Sequence, residues 1–270
     1  MRSIWKGSVS FGLVTIPVKL YTATEDKDVR FHMMHAKDGS RIEYKKFCAE
    51  EQVEVDSDEI VKGYEYGKGH YVTMEDKDFD NIPLSTSHAV EILEFVDLPE
   101  VDPIYFQKSY YLEPQEGAAK PYALLREAMQ RANKTALAKV VLRDKEHLAT
   151  VRVYGEALVM ETLFYPDEIR STKQLEGLSG SSVNEKEVQM AINLIEALAG
   201  EFEPDKYKDN YREALLEVIN QKIEGRPAEE VPAAKPATKV MDLMEALRAS
   251  VEAAGKPAPA HQERRKQKVA

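Results

Sequence analysis

The segment SVSFGLVTIPVKL, residues 8–20, contains the alternation of apolar side chains that decides the fold class. Apolar side chains occupy every second position in two runs that differ in phase: Val9, Phe11 and Leu13, then Val14, Ile16, Val18 and Leu20. A period of two indicates a β-strand buried on one face. The phase shift, together with Pro17, predicts one strand that carries a bulge and lies at the edge of a sheet.

Further short strands are predicted where β-branched and aromatic residues concentrate. Their ranges are residues 41–47, 70–74, 90–96, 109–112, 135–142, 148–154 and 158–164. So many short strands favour a barrel or a sandwich. One helix interrupts them, because residues 119–132 carry apolar side chains at helical spacing.

After Phe164 the pattern changes to a loop at residues 171–182, followed by two amphipathic helices. Asn184 with Glu187 three positions later predicts the start of the first helix. Pro204 is predicted to open the second helix, which ends at Gly225. The apolar stripes are Val188, Ala191, Ile192, Ile195 and Leu198, then Tyr207, Tyr211, Leu215, Val218, Ile219 and Ile223. Either the barrel or a second copy of the chain covers these stripes, so the helices are the best candidates for dimerisation.

The remaining sequence predicts a linker, a helix and a tail. Prolines and alanines at residues 226–238 predict a semi-extended linker. An amphipathic helix over residues 239–254 carries an apolar stripe formed by Val240, Leu243, Met244, Leu247 and Val251. This helix either docks back on its own domain or fits a groove on a partner. Residues 255–270 are basic and predicted to be disordered.

The net charge of −10 argues by itself against a nucleic-acid partner. The charge is segregated, however: residues 1–47 carry 9 basic and 5 acidic side chains, whereas residues 48–116 carry 4 and 18. The basic residues form two clusters. The first lies on a hairpin with its turn at Gly39 and contains Arg30, Lys37, Arg41, Lys45 and Lys46. Lys139, Arg143, Lys145 and Arg152 flank a second hairpin with its turn near residues 144–147. Two basic hairpins could grip a duplex, although each is also compatible with an ordinary charged hairpin.

The sequence offers no convincing enzyme site. His32, His35 and Cys48 lack a fourth zinc ligand, and Asp76 and Asp78 begin a calcium-like loop that lacks its glycine and its glutamate. One cysteine favours a reducing compartment. We expect neither secretion nor membrane insertion, because no apolar signal segment follows Met1 and no run of 18 apolar residues occurs.

Four long blocks resemble bacterial Ku, the DNA-end-binding family of non-homologous end joining. They are IWKGSVSFGLVTIPVKLYTATEDKDV (residues 4–29), PEVDPIYFQKSYYLEP (99–114), VMETLFYPDEIR (159–170) and FEPDKYKDNYREALLEVINQKIEG (202–225). They occur in the family's order, and together the resemblance covers residues 1–225. Many bacterial members of the family have Cys-x-x-Cys where this chain has Cys48 to Glu51, so the resemblance carries no zinc site over to this chain.

The resemblance implies an α+β fold: a Ku-type β-barrel with an extended arm at residues 29–76, followed by C-terminal helices, in a ring-forming homodimer. Residues 1–225 would form the Ku core, with dimerisation helices at residues 184–224. The 48 residues of the arm, run out and back, reach at most about 80 Å, which is long enough to surround a duplex. The side chains expected to contact the DNA backbone are Arg30, Lys37, Arg41, Lys45, Lys46, Lys62, Lys68, Arg143 and Lys145.

The implied function is that of a non-enzymatic, cytoplasmic and nucleoid-associated protein with no cofactor and no metal. It would thread onto double-stranded DNA ends without sequence preference and recruit DNA ligase D through the helix at residues 239–254, which resembles the family's ligase-binding segment. Two alternatives remain open: an acidic homodimeric scaffold that does not bind DNA, and a metal-dependent hydrolase that uses His32, His35 and the acidic cluster.

Overall fold

A computed structural model describes residues 1–80, 88–143, 145–178 and 183–226. The chain forms two compact units, Met1–Thr172 and Lys173–Ala270. The strands among the described residues are β1 (Trp5–Phe11), β2 (Val14–Thr22), β3 (Lys62–Gly67), β4 (His70–Met74), β5 (Ala89–Val96), β6 (Phe106–Pro114), β7 (Thr135–Leu142), β8 (Lys145–Tyr154) and β9 (Ala157–Leu163). The helices are α1 (Asp76–Asp80), α2 (Ala119–Ala132), α3 (Glu185–Leu198) and α4 (Asn210–Ile223).

Seven strands of the first unit form a closed barrel in the order β1-β2-β6-β9-β8-β7-β5. Adjacent strands run antiparallel, except that β1 and β5 run parallel and close the barrel through the pairs from Ser8 with Ala89 to Ser10 with Glu91. Side chains alternate in direction along each strand, and the inward set forms the hydrophobic core. The predicted α+β barrel is therefore confirmed.

The first predicted strand is wrong: residues 8–20 belong to two strands, β1 and β2, joined by a two-residue turn at Gly12 and Leu13. Gly12 has φ of +58°, the conformation that a type II′ hairpin turn requires at its first central position. Both strands are flanked on each side, so neither is an edge. Pro17 lies within β2, where its carbonyl oxygen accepts a hydrogen bond from the backbone N–H of Gln115 at 2.9 Å.

Helix α2 closes one end of the barrel, and its predicted range is confirmed. Tyr122, Leu125 and Met129 lie three to four positions apart and are buried against the core. The Tyr122 hydroxyl donates to the carbonyl oxygen of Leu112 and accepts from the N–H of Leu158, both at 2.7 Å. These bonds fix the helix at the end of the barrel where β6 finishes and β9 begins.

The chain between β2 and β5, residues 23–88, leaves the barrel and returns to it on the other side of β1. This insertion contains the predicted arm, residues 29–76. No residue of the arm is buried. The strand predicted at residues 41–47 is wrong: only isolated bridges form, Met34 with Arg41 and Phe47 with Glu54. The predicted strand at residues 70–74 is confirmed as β4, whose partner β3 was not predicted.

The second unit contains α3 and α4 among its described residues. Asn184 caps α3 by accepting a hydrogen bond from the N–H of Lys186, and the Glu187 carboxylate accepts from the N–H of Asn184, which confirms the predicted start. The predicted start at Pro204 is wrong. Residues Pro204–Lys206 form a 3-10 turn, and α4 begins at Asn210, because the Asp209 carboxylate caps it by accepting from the N–H of Arg212.

Candidate nucleic-acid interface

The nine cationic side chains predicted to contact DNA lie on two parts of the first unit, and all nine are exposed. Seven belong to the arm: Arg30, Lys37, Arg41, Lys45, Lys46, Lys62 and Lys68. The other two, Arg143 and Lys145, lie at the turn between β7 and β8. The hairpin predicted at Gly39 is present, because the N–H of His35 donates to the carbonyl oxygen of Ser40 at 2.7 Å and Met34 pairs with Arg41.

Three of the nine cations are neutralised by carboxylates. Their ion pairs, given as N–O distances, are Lys45 with Glu54 at 2.6 Å, Lys62 with Asp76 at 3.8 Å and Lys145 with Glu168 at 3.3 Å. The pKa of the Glu168 carboxyl is lowered, first by a hydrogen bond from the backbone N–H of Tyr165 and further by Lys145. Glu168 therefore stays ionised at neutral pH and reduces the charge that Lys145 presents to an anion.

Two further cations contact groups other than carboxylates. The Arg41 guanidinium lies 2.9 Å from Nδ1 of His32, and Nζ of Lys46 donates to Oγ of Ser57 at 3.0 Å. These contacts orient the two side chains without cancelling their charge. Both therefore remain able to bind a phosphate.

Within the described part of the chain, Arg30, Lys37, Lys68 and Arg143 have no ion-pair partner. Lys37 lies in the turn beside Gly39, and Lys68 lies in the turn between β3 and β4. Unpaired cations at the tips of hairpins can approach a phosphate backbone without losing an existing bond. They are the strongest of the nine candidates on physical grounds.

The second basic set contributes less charge than its sequence predicts. Nζ of Lys139 lies 2.9 Å from the Glu146 carboxylate, and Arg152 is paired with the buried Glu161. Both side chains are therefore held in the wall of the barrel. Arg143 is the member of this set without a carboxylate partner among the described residues.

Arg143 also lines a cavity of about 340 Å³ at the end of the barrel opposite α2. Lys108 and His147 line the same cavity, together with Trp5, Tyr110 and Thr162. Sequence reasoning missed Lys108 and His147, because they lie on different strands and only closure of the barrel brings them together. The pKa of His147 is lowered, chiefly by burial and further by the positive charge of Lys145. His147 is therefore neutral at pH 7.

The arm also exposes many large apolar side chains between its cations. They are Phe31, Met33, Met34, Ile42, Tyr44, Phe47, Val53, Ile60, Val61, Tyr64, Tyr66, Tyr71 and Val72. A two-stranded hairpin such as β3–β4 is only marginally stable alone in water. Exposed apolar surface of this extent is typical of a site of interaction with another molecule.

The residues considered for metal binding do not converge. His35 pairs with Asp38 at 3.0 Å, whereas His32 contacts Arg41. Across residues 1–80, 88–143, 145–178 and 183–226 no group of three or more His, Cys, Asp or Glu side chains is arranged to hold a metal ion. None of the helices within these ranges is both long enough and apolar enough to span a bilayer.

The predicted ligase-binding residues Val240, Leu243, Met244, Leu247 and Val251 lie outside the described residues. The predicted tail lies outside them as well, and so does the predicted linker beyond Arg226.

Comparison with known proteins adds a family assignment to this geometry. The family model described as the Ku70/Ku80 beta-barrel domain matches residues 10–190. A protein of Symbiobacterium thermophilum named "Non-homologous end joining protein Ku" is 52% identical over 94% of this chain and 63% of its own length. Proteins of the same name from Bacillus subtilis and Archaeoglobus fulgidus are 46% and 41% identical, over 95% and 94% of this chain and 84% and 99% of theirs.

This chain spans less than two thirds of the Symbiobacterium relative and most of the Bacillus and Archaeoglobus relatives. The matched region includes most of the barrel, the insertion with its exposed cations, and the first residues of α3. The family match covers more than half of the chain and agrees with the closed seven-stranded barrel. This chain belongs to the Ku family.

Proposed function

We propose that this protein binds the ends of double-stranded DNA in bacterial non-homologous end joining and that it does so without catalysing a reaction. The observation that carries the proposal is identity of 41–52% over 94–95% of the chain to relatives named for that process. The unpaired cations of the arm and of the β7–β8 turn support it, because they supply the positive charge that a phosphate backbone requires.

The proposal includes a homodimer that closes a ring around the duplex. Two surfaces support it. Within the second unit, Ile195, Leu198, Tyr211 and Ile223 are between 66% and 77% exposed, although helices of this kind normally bury such residues. Within the first unit, the arm exposes apolar and aromatic side chains on a hairpin that needs a partner. A second copy of the chain would cover both surfaces.

Binding would be independent of sequence and sensitive to salt, because Lys and Arg contact phosphates rather than base edges. Selectivity for ends would come from topology. A linear duplex can thread through a closed ring, whereas a covalently closed circle cannot. We also propose that residues 239–254 recruit DNA ligase D as an amphipathic helix in a partner groove, and that the protein acts at the nucleoid in the cytoplasm.

The decisive experiment is competition between linear and relaxed covalently closed plasmid of identical sequence for a labelled linear duplex. We expect linear plasmid to compete and the closed circle to fail, and a singly nicked circle serves as the control for strand breaks without ends. Protein loaded on linear DNA that is then ligated into a circle should stay bound in high salt. Equal competition by the circle would refute threading, and no binding at low salt would favour an acidic scaffold instead.

A further inference from the structure

The cavity at the open end of the barrel is built by six of the seven barrel strands. Its lining residues belong to or directly adjoin β1, β2, β6, β7, β8 and β9, at the end away from α2, and Arg143 directly follows β7. Tyr122 bonds to Leu112 and Leu158 at the opposite end, so the helix closes that end and leaves this one open. The mouth of a closed barrel is a common location for a small-ligand site.

The charged side chains that line this cavity are all basic. Lys108 and Arg143 carry the positive charge and have no carboxylate within ion-pair distance among the described residues, and His147 adds a neutral imidazole. Nζ of Lys108 lies 5.9 Å from the centre of the Tyr110 ring, so an aromatic face rather than an anion supports it. Elsewhere on the barrel, Lys139, Lys145 and Arg152 are each matched with a glutamate. The cavity therefore keeps an uncompensated positive charge.

We propose that this cavity is a binding site for a phosphate group carried by a molecule of nucleotide size. Arg143 and Lys108 would bind the phosphate oxygens, and His147 would donate a hydrogen bond from its ring. Trp5 and Tyr110 would contact the uncharged part of the ligand. The volume of about 340 Å³ is close to the lower limit for small-ligand pockets, about 300 Å³, so the site suits a mononucleotide better than a longer chain.

The protein contains its own reporter for this site, because Trp5 is the single tryptophan of the chain and lines the cavity. Titration of the full-length protein with adenosine monophosphate, at constant ionic strength and with excitation at 295 nm, should change Trp5 fluorescence saturably. Adenosine, which lacks the phosphate, should produce no saturable change. An equal response to adenosine, or no saturable response to the nucleotide, would overturn the proposal.

Two variants locate the phosphate. Arg143 has φ of +50°, so Arg143→Asn removes the charge with a residue that tolerates this backbone conformation. We expect Arg143→Asn and Lys108→Gln each to weaken nucleotide binding about tenfold or more, as expected for loss of a charge-assisted hydrogen bond. Lys120→Gln, on the exposed face of α2, is the matched control and should leave the affinity unchanged. If both cavity variants unfold at the same midpoint as the parent protein and bind the nucleotide with the same affinity, the assignment is refuted.

The phosphate could belong to a free nucleotide or to a DNA end, and the same reporter distinguishes the two sources. A duplex that displaces bound nucleotide would place a DNA phosphate in the cavity. Binding of duplex without displacement would assign the site to a free nucleotide, and both results support the proposal. The nucleotide titration uses no DNA, so failure of the cavity proposal is distinguishable from failure of DNA-end binding, which plasmid competition measures.

Discussion

Arg152 donates two hydrogen bonds to Oε1 of Glu161, from Nη2 at 2.5 Å and from Nε at 2.9 Å, although the Glu161 side chain is only 4% exposed. The pair lies on neighbouring strands, on the outer face of the barrel, and lines a pocket together with Leu98 and Phe106. Thr150 donates a third hydrogen bond, to Oε2 of Glu161. The carboxylate is therefore buried with its oxygens satisfied by partners from β8.

Loss of one partner of this pair should destabilise the barrel. Arg152→Met leaves the Glu161 carboxylate buried without its cation, and we expect a loss of about 3 kcal/mol in the free energy of unfolding. The double variant Arg152→Met with Glu161→Leu should recover most of the loss. Urea denaturation at one fixed protein concentration measures both. A single variant as stable as the parent would show that the pair contributes little.

Gly7 lies where a side chain cannot fit. A Cβ at this position would overlap the ring of Trp5 and the carbonyl oxygen of His88, and a backbone atom cannot move aside cheaply. We expect Gly7→Ala to cost about 1–3 kcal/mol of stability. Gly63→Ala in β3 is the matched control, since its nearest neighbour would be the Tyr71 side chain at 3.7 Å. Equal thermal unfolding midpoints for the two variants would contradict this account.

The cations of the arm should contribute unequally to DNA binding. Lys37→Gln and Lys68→Gln each remove an unpaired charge and should reduce the slope of log K against log salt by about 0.9. Lys45→Gln should have a smaller effect, because Glu54 already neutralises Lys45. Glu54→Gln should tighten binding by freeing that lysine. Fluorescence anisotropy of a labelled blunt duplex between 50 and 200 mM salt tests all four, and a uniform effect of the three lysines would contradict the ranking.

The helices of the second unit should control the oligomeric state. Ile195 and Leu198 are 66% and 68% exposed within one chain, so replacement by Glu should leave the fold intact. If these residues are buried between two copies, each substitution removes roughly 2 kcal/mol of dimerisation free energy at each of the two symmetric positions. The dissociation constant of the dimer should then rise about 100-fold or more. Sedimentation equilibrium measures this, with Glu196→Gln as the control. An unchanged molar mass in both Glu variants would exclude α3 from the interface.

His147 should make the stability depend on pH in a defined window. Its pKa is lowered in the folded protein, chiefly by burial, so the unfolded chain binds its proton at a higher pH than the folded chain does. The stability that neutral His147 contributes to the folded protein is therefore fully present above about pH 6.5. This stability is lost as the pH falls from there toward the pKa of His147 in the folded protein. His147→Gln should flatten the stability curve in that window. An imidazole that titrates by NMR at or above pH 6.5 would contradict the prediction.

Much of the fold is predictable where one local signal dominates. The limits of α2 and β7 follow from apolar periodicity, and the start of α3 follows from the capping pair of Asn184 and Glu187. The hairpin at Gly12 was missed because a two-residue turn and a bulge both shift the apolar alternation by one position. Strand β3 was missed because Gly63, Glu65 and Gly67, residue types that are depleted in strands, alternate with its two tyrosines, and both of its faces are exposed.

The candidate site was predictable as a region but not as a set of residues. Clustered lysines and arginines identify the arm, but sequence spacing does not reveal that Glu54 neutralises Lys45 while Lys37 stays unpaired. Lys108 and His147 are 39 positions apart in the chain and share a cavity because six strands converge at one end of the barrel. Such long-range proximity depends on strand order, which single-sequence patterns do not specify.

The parallel pairing of Ser8 with Ala89 has an evolutionary consequence. Residues 23–88 connect β2 and β5, which lie on the two sides of β1. Closure of the barrel therefore fixes only the two ends of this stretch. The entropic cost of joining such ends grows with the logarithm of the intervening length, and doubling that length costs only about 0.6 kcal/mol. Insertions and deletions in this stretch can therefore accumulate over time and alter its reach, while selection keeps the barrel beneath it unchanged.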